Sequence, residues 1–361
     1  MNAVFRVDAS VVLGTGHVVR CLTLANALRD RGVEASFVCR LHDGHACDLV
    51  TQAGFAVEYL RLSAHYGPAA GAVDEIRLLG ASWQQDAEET FAAIGGGEVS
   101  RDLLVVDHYA IDERWERIVR PLFRRVLVID DLADRNHTCD LLLDQSLHDH
   151  PAARYSGLVD LSTRLFIGPR YALLRPEFER VTAPLRNCGL RHILVYLGGT
   201  DPTNETTKIL QALQSLEPVG LKVTVVLGRN ERNALAVRRA AAGLPDIEIL
   251  SGTNEMAHLM AAADLGIGTC GGAAWERCAL GLPSLVVVNA ENQRDDARIL
   301  QQMGAIRYLG DASTTTTARW GDEIRALRDN PSALAEMSRA STGVMRNRTA
   351  SMQQFIAALI G

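Results

Sequence analysis

Short aliphatic and β-branched runs alternate with longer stretches of helical spacing from one end of the chain to the other. In the first half, residues 3–7, 35–38, 103–106 and 126–129 read as strands. Leu103-Leu104-Val105-Val106 has no polar alternation, so both of its faces must be covered, as in a parallel sheet flanked by helices. This pattern predicts a doubly wound α/β fold. A proline-marked stretch from Gly168-Pro169 to Pro184 interrupts it, and the pattern restarts with residues 192–197. Further strands are predicted at 221–227, 247–250, 264–268 and 284–289. The chain thus divides into two Rossmann-like domains, 1–168 and 191–361, joined by a linker over 169–190. Residues 315–360 have helical spacing without strands and are expected to close the second domain. Residues 63–97 read as a helix followed by a glycine-rich loop that carries little functional information.

Composition narrows the function. At 361 residues the chain is long enough for two cores. Its 43 acidic and 37 basic residues leave a net charge of −6, so no overall positive field gathers nucleic acid or an anionic membrane, and any phosphate must be held locally. No apolar stretch reaches the roughly 18 residues that cross a bilayer, and the start lacks the features of a secretory leader. A cytoplasmic protein is expected, acting on a small molecule without nucleic acid or membrane partners. Seven cysteines without a C-x-x-C pair are read as reduced thiols.

Candidate chemistry gathers where predicted strands end. Asp8 follows the first strand, and Gly14-Thr15-Gly16-His17 opens a helix running through Arg20. A strand leading through glycines into a helix aims free N–H groups at the ligand edge of an open α/β sheet, although a tight turn with an ordinary helix start fits the spacing equally. The third glycine of a dinucleotide fingerprint is missing, since Val19 stands there. Asp107-His108-Tyr109 and Asp130-Asp131 follow two further strands on the same edge. In the second half, Gly198-Gly199-Thr200-Asp201 and Gly268-Thr269-Cys270-Gly271-Gly272 are two glycine-rich strand-to-helix turns, the kind that lets backbone approach a diphosphate. Glu276, one turn into the next helix, is placed to accept from both ribose hydroxyls or simply to favour a helix start, and Asn292-Gln293 is either a sugar contact or a loop amide pair. His42, His45, Cys47, His148 and His150 have ligand types without a familiar zinc spacing, so no metal and no cofactor are expected.

Taken in order, Arg6–Arg20, Asp107–Tyr109, Ile129–Leu132 with Asp140–Gln145, Tyr171–Arg175, Gly198–Asp201, Trp275–Pro283 and Asn292-Gln293 resemble the UDP-2,4-diacetamido-2,4,6-trideoxy-β-L-altropyranose hydrolases of pseudaminic acid biosynthesis. The second half is more distantly similar to MurG-type glycosyltransferases. The resemblance implies two Rossmann-like domains in a GT-B arrangement, with the active site in the interdomain cleft. It implies metal-independent hydrolysis at the anomeric C–O bond with inversion, His17 acting as base toward water. Asp8, Gly14, Gly16, Arg20, Tyr109, Asn292 and Gln293 would then serve the sugar. Gly198, Gly199, Thr200, Gly271, Gly272 and Glu276 would hold UDP. The chain is expected to act as a monomer or weak homo-oligomer. The alternatives are a GT-B glycosyltransferase with a UDP-sugar donor, a UDP-sugar hydrolase of a related nonulosonic acid pathway, and a sugar-nucleotide-binding subunit without turnover.

Overall fold

The computed structural model describes residues 1–63, 74–95, 101–182, 184, 186, 189–199, 201–216, 220–228 and 232–361. The chain forms two compact units, Met1–Leu173 with Asn347–Gly361, and Leu174–Arg346. The first contains strands β1 (Asn2–Val7), β2 (Glu34–Arg40), β3 (Ala56–Leu60), β4 (Arg101–Asp107), β5 (Phe123–Ile129), β6 (Leu141–Asp144) and β7 (Arg164–Ile167), all parallel in the order β3-β2-β1-β4-β5-β6-β7. Its helices are α1 (Gly16–Arg29), α2 (Cys47–Gln52), α3 (Asp74–Leu79), α4 (Trp83–Ala93) and α5 (Glu113–Val119). Burial on both faces follows the pleat. Leu103 and Val105 of β4 enter the core shared with α1, whereas Leu104 and Val106 enter the core shared with α4 and α5.

The second unit begins with α6 (Glu177–Arg180) and the first strand of its own sheet, β8 (His192–Tyr196). Helices α7 (Glu205–Ser215), α8 (Ala234–Ala241), α9 (Met256–Ala262), α10 (Ala273–Ala279) and α11 (Arg294–Gln302) alternate with strands β9 (Lys222–Leu227), β10 (Ile247–Ser251), β11 (Leu265–Thr269), β12 (Ser284–Val288) and β13 (Ile306–Asp311). These six strands are parallel in the order β10-β9-β8-β11-β12-β13. A switch of strand order beside the first strand occurs in both sheets, and open α/β sheets bind ligands at the carboxyl ends of strands near such a point.

Three C-terminal helices, α12 (Thr317–Arg328), α13 (Pro331–Val344) and α14 (Arg348–Ile360), occupy the predicted helical tail. Trp320, Ile324, Leu327, Leu334 and Met337 close the second core as expected. Here the domain boundary requires a correction, because α14 returns to the first unit. Phe355, Ile356 and Leu359 join its core, and the Phe355 ring lies 5.0 Å from that of Phe166. Arg125 Nη1 donates to the Ala358 carbonyl at 3.1 Å, capping the helix end. Helical spacing reports an apolar face and not which core receives it.

The segment 63–97 also differs from its reading. Its described part holds two helices, α3 and α4, and Leu79, Ala87 and Ile94 belong to the core beneath β4. Its last residues lie outside the described set. Cys21, Cys39, Cys47, Cys139, Cys270 and Cys278 are buried free thiols, and Cys188 lies outside the described residues. No helix among the described residues is long and apolar enough to cross a membrane.

Candidate functional site

At the carboxyl edge of the first sheet, the turn after β1 sets the start of α1. Ser10 Oγ accepts from the Val12 and Leu13 N–H groups at 3.2 and 3.0 Å, and Gly14 closes the turn with φ 70° and an N–H bond to Ser10 O of 2.8 Å. Helix α1 then carries His17 and Arg20 on one face, three residues apart, toward Asp107 at the end of β4. His17 Nδ1 lies 2.6 Å from Asp107 Oδ1. Arg20 grips both carboxylate oxygens, Nε to Oδ2 and Nη2 to Oδ1, each at 2.6 Å. Its Nη1 reaches Asp131 Oδ2 at 3.1 Å.

Asp107 is fully buried. Burial alone would raise its carboxyl, but the charge of Arg20, then that of His17, holds it well below the usual carboxylate range. An ionised Asp107 can only accept, so in the neutral imidazole this contact places the proton on His17 Nδ1 and the lone pair on Nε2. The Tyr109 ring stands edge-on to His17 at 4.5 Å, with its hydroxyl 3.5 Å from Asp131 Oδ2. Burial, then Asp131, pushes that phenol up, so it stays protonated near neutrality.

Asp8, which the resemblance implies as a substrate residue, is enclosed in a second network. Its Oδ1 accepts from Arg6 Nη1 at 2.6 Å and from the Arg40 N–H at 2.7 Å, and its Oδ2 lies 3.4 Å from His108 Nε2 and 3.6 Å from His42 Nε2. Asp86 of α4 bridges Arg6 and Arg40, at 2.6 and 2.7 Å, and accepts from Trp115 Nε1 at 2.9 Å. His108 Nδ1 accepts the Ala110 N–H at 3.0 Å, which puts the proton of the neutral ring on Nε2, 3.4 Å from Asp8 Oδ2. Asp8 therefore serves a buried ion cluster rather than an open edge. His148 is likewise absorbed, with Nε2 at 3.2 Å from Asp144 Oδ2 and 3.0 Å from Ser146 Oγ.

The second sheet presents its own carboxyl edge. Gly198, with φ 97°, and Gly199 follow β8, whereas Thr200 lies outside the described residues. Asp201 caps α7 through the Glu205 and Thr206 N–H groups at 2.9 and 2.8 Å. Beside this turn, β11 leads through Cys270 to Gly271 and Gly272 at the start of α10. A Cβ at Gly268 would lie 2.5 Å from Tyr196 O and 2.8 Å from Arg277 Nη1, so only glycine lets this strand end close on its neighbour. The Gln293 amide stands next to Gly271, 3.6 Å from where a Cβ would be, and Asn292 precedes it in the same short turn. Glu276 is held by Arg175, whose Nε and Nη2 reach Oε1 and Oε2 at 2.9 and 3.2 Å.

The structure thus groups His17, Arg20 and Tyr109 on one edge, and Gly198, Gly199, Gly271, Gly272, Glu276 and Gln293 on the other, each within its own unit. Sequence reasoning missed Asp107 as the partner of His17 and Arg175 as the partner of Glu276. The first had a signal, an aspartate ending an apolar strand beside a cation at i+3 of the histidine. For the second, the motifs Tyr171–Arg175 and Trp275–Pro283 hold both residues, but nothing pairs them across the 101 positions that separate them.

Residues 192–355 match the glycosyltransferase family 28 C-terminal domain. Across 222 residues the chain is 28% identical to the UDP-2,4-diacetamido-2,4,6-trideoxy-β-L-altropyranose hydrolase of Campylobacter jejuni, covering 61% of this chain and 69% of that one. The resemblance read from the motifs therefore holds. It is also 27% identical over 298 residues to the uncharacterized protein MJ1062 of Methanocaldococcus jannaschii, and 33% identical over 153 residues to the spore coat polysaccharide biosynthesis protein SpsG of Bacillus subtilis. These matches take in 80% and 41% of this chain but only 56% and 44% of those proteins, so the chain spans about half the length of either. In structure it is similar to MurG of Acinetobacter baumannii, with a TM-score of 0.65, 17% identity and 99% coverage of both chains. The fold is the α/β, two-sheet architecture of the GT-B proteins.

Proposed function

We propose that this chain hydrolyses UDP-2,4-diacetamido-2,4,6-trideoxy-β-L-altropyranose, or a close nonulosonic-acid analogue, to UDP and the free sugar. The observation that carries the reading is the 2.6 Å contact of His17 Nδ1 with a buried, ionised Asp107, which leaves Nε2 as a proton acceptor at a sheet edge. Water attacks the anomeric carbon on the face opposite the leaving group and gives its proton to His17 Nε2. The anomeric C–O bond breaks, and its electron pair leaves on the UDP β-phosphate. Asp107 stabilises the imidazolium so formed, and Arg20 balances the two carboxylates it touches. Tyr109, packed on the imidazole and neutral, is a donor for the sugar. The proposal assigns UDP to Gly198, Gly199, Thr200, Gly271 and Gly272, whose N–H groups meet the charge growing on the diphosphate, with the ribose on Glu276. Asn292 and Gln293 are assigned to the sugar. UDP is a stable leaving group, so the reaction needs no strong general acid and no metal.

Supporting this reading is the hydrolase named among the relatives, and the family 28 domain match supports a sugar-nucleotide enzyme of either kind. The test follows UDP and sugar by NMR after adding the altrose-configured substrate to chelator-treated protein without any acceptor. The expected result is equimolar UDP and sugar with an inverted first anomer. His17→Asn should lower kcat by about 10³-fold, within the range for general-base catalysis, while UDP affinity stays within about twofold. UDP release that requires an added acceptor would make the chain a glycosyltransferase, the reading favoured by the domain match alone.

A further inference from the structure

We propose that Arg175 is the residue that makes the nucleotide site selective for a ribonucleotide, by fixing Glu276 as an acceptor for the two ribose hydroxyls. The inference rests on the assignment of UDP to the second unit. Arg175 approaches Glu276 as a fork, Nε to Oε1 at 2.9 Å and Nη2 to Oε2 at 3.2 Å. A carboxylate offers about four acceptor positions, and the fork uses one on each oxygen. One acceptor position therefore remains on each oxygen, matching the two hydroxyls of a ribose.

The arginine is itself held in place. Its Nη1 lies 3.2 Å from Glu177 Oε1, and its guanidinium carbon lies 5.1 Å from the centroid of the buried Phe178 ring. Contacts on three sides leave the guanidinium few orientations, so Glu276 inherits a fixed carboxylate plane. Lysine cannot replace this fork, because a single ammonium fixes neither the plane nor both oxygens.

Arg175 is thus a positioning residue, and nucleotide discrimination reports its action where simple affinity does not. Calorimetry on the full chain would compare UDP with 2′-deoxy-UDP for wild type, Arg175→Met and Arg175→Lys, with thermal midpoints recorded beside. Wild type should prefer UDP by about tenfold, the value of one well-placed hydrogen bond. Arg175→Met should weaken UDP binding by about tenfold and leave 2′-deoxy-UDP within about twofold, so the preference collapses. Arg175→Lys should keep the thermal midpoint and restore only part of the preference. Equal losses for both nucleotides, or a preference that survives in Arg175→Met, would overturn the inference and leave Arg175 as a structural strut. Tighter UDP binding by the variant would overturn it in the opposite sense, making the fork a latch that ribose must displace. Failure of wild type to bind either nucleotide would instead overturn the assignment of UDP to this unit.

Discussion

Asp107 accepts from His17 once and from Arg20 twice, all at 2.6 Å, while wholly removed from solvent. Such a carboxylate decides a tautomer as well as a position. Asp107→Asn keeps the shape but can present an N–H toward His17, so the imidazole proton shifts to Nε2 and the base is lost. The expected outcome is a kcat lowered by about 10³-fold with UDP affinity unchanged, read by single-turnover kinetics and calorimetry. His108 supplies the pH dependence. Burial, only partly offset by Asp8, pushes its pKa down to about 4 from an ordinary 6.5. Its folded value is depressed, so the unfolded chain binds the extra proton between those two values. The stability it contributes is fully present above about pH 6.5 and is lost as the pH falls toward 4, amounting at most to about 3 kcal/mol. Denaturant unfolding between pH 4.5 and 6.5 should show this slope in wild type and a flatter one in His108→Gln.

Helix α4 illustrates how an element can matter at a distance. It lies in the segment that reads as a helix and loop of little consequence, yet its Asp86 carries the counter-charge for Arg6 and Arg40. Asp86→Ala leaves two buried guanidiniums without their shared partner and frees the Trp115 N–H bond. A loss of about 3–5 kcal/mol is expected from equilibrium unfolding, typical of breaking a buried ion pair from one side. The strand pattern and the glycine turns were legible because their signals are local, with an apolar run followed by glycine and a helix start. The short strands β3, β6, β7 and β13 escaped, although β6 is wholly buried. Strands β3, β7 and β13 are only partly buried and carry charged positions in place of an apolar run, and the four residues of β6 are too few to tell a strand from a buried helix segment.

Across the whole molecule, two sheets with separate cores give each unit its own stability. Ligand linkage should therefore be unequal. At 100 times its Kd, UDP stabilises the state that binds it by about 2.7 kcal/mol. Hydrogen exchange with and without UDP should slow in β8, β11 and α10 far more than in β1 and β4. Equal protection in both units would contradict the assignment of UDP to the second. By itself the sequence determined the α/β class, the restart of the pattern near residue 192, the glycine turns and the candidacy of His17. The class follows from an alternation repeated along the chain, the restart and the glycine turns from residues close together in it, and the candidacy of His17 as a base from the resemblance of its motifs. Tertiary structure alone decided that α14 packs on the first core, that Asp8 is enclosed by Arg6 and Arg40, that Asp107 orients His17, and that Arg175 grips Glu276. Those pairings join residues as many as 233 positions apart. Local patterning fixes which face of an element is apolar or charged, but its partner is chosen only when the sheets assemble and every buried charge must find a counterpart.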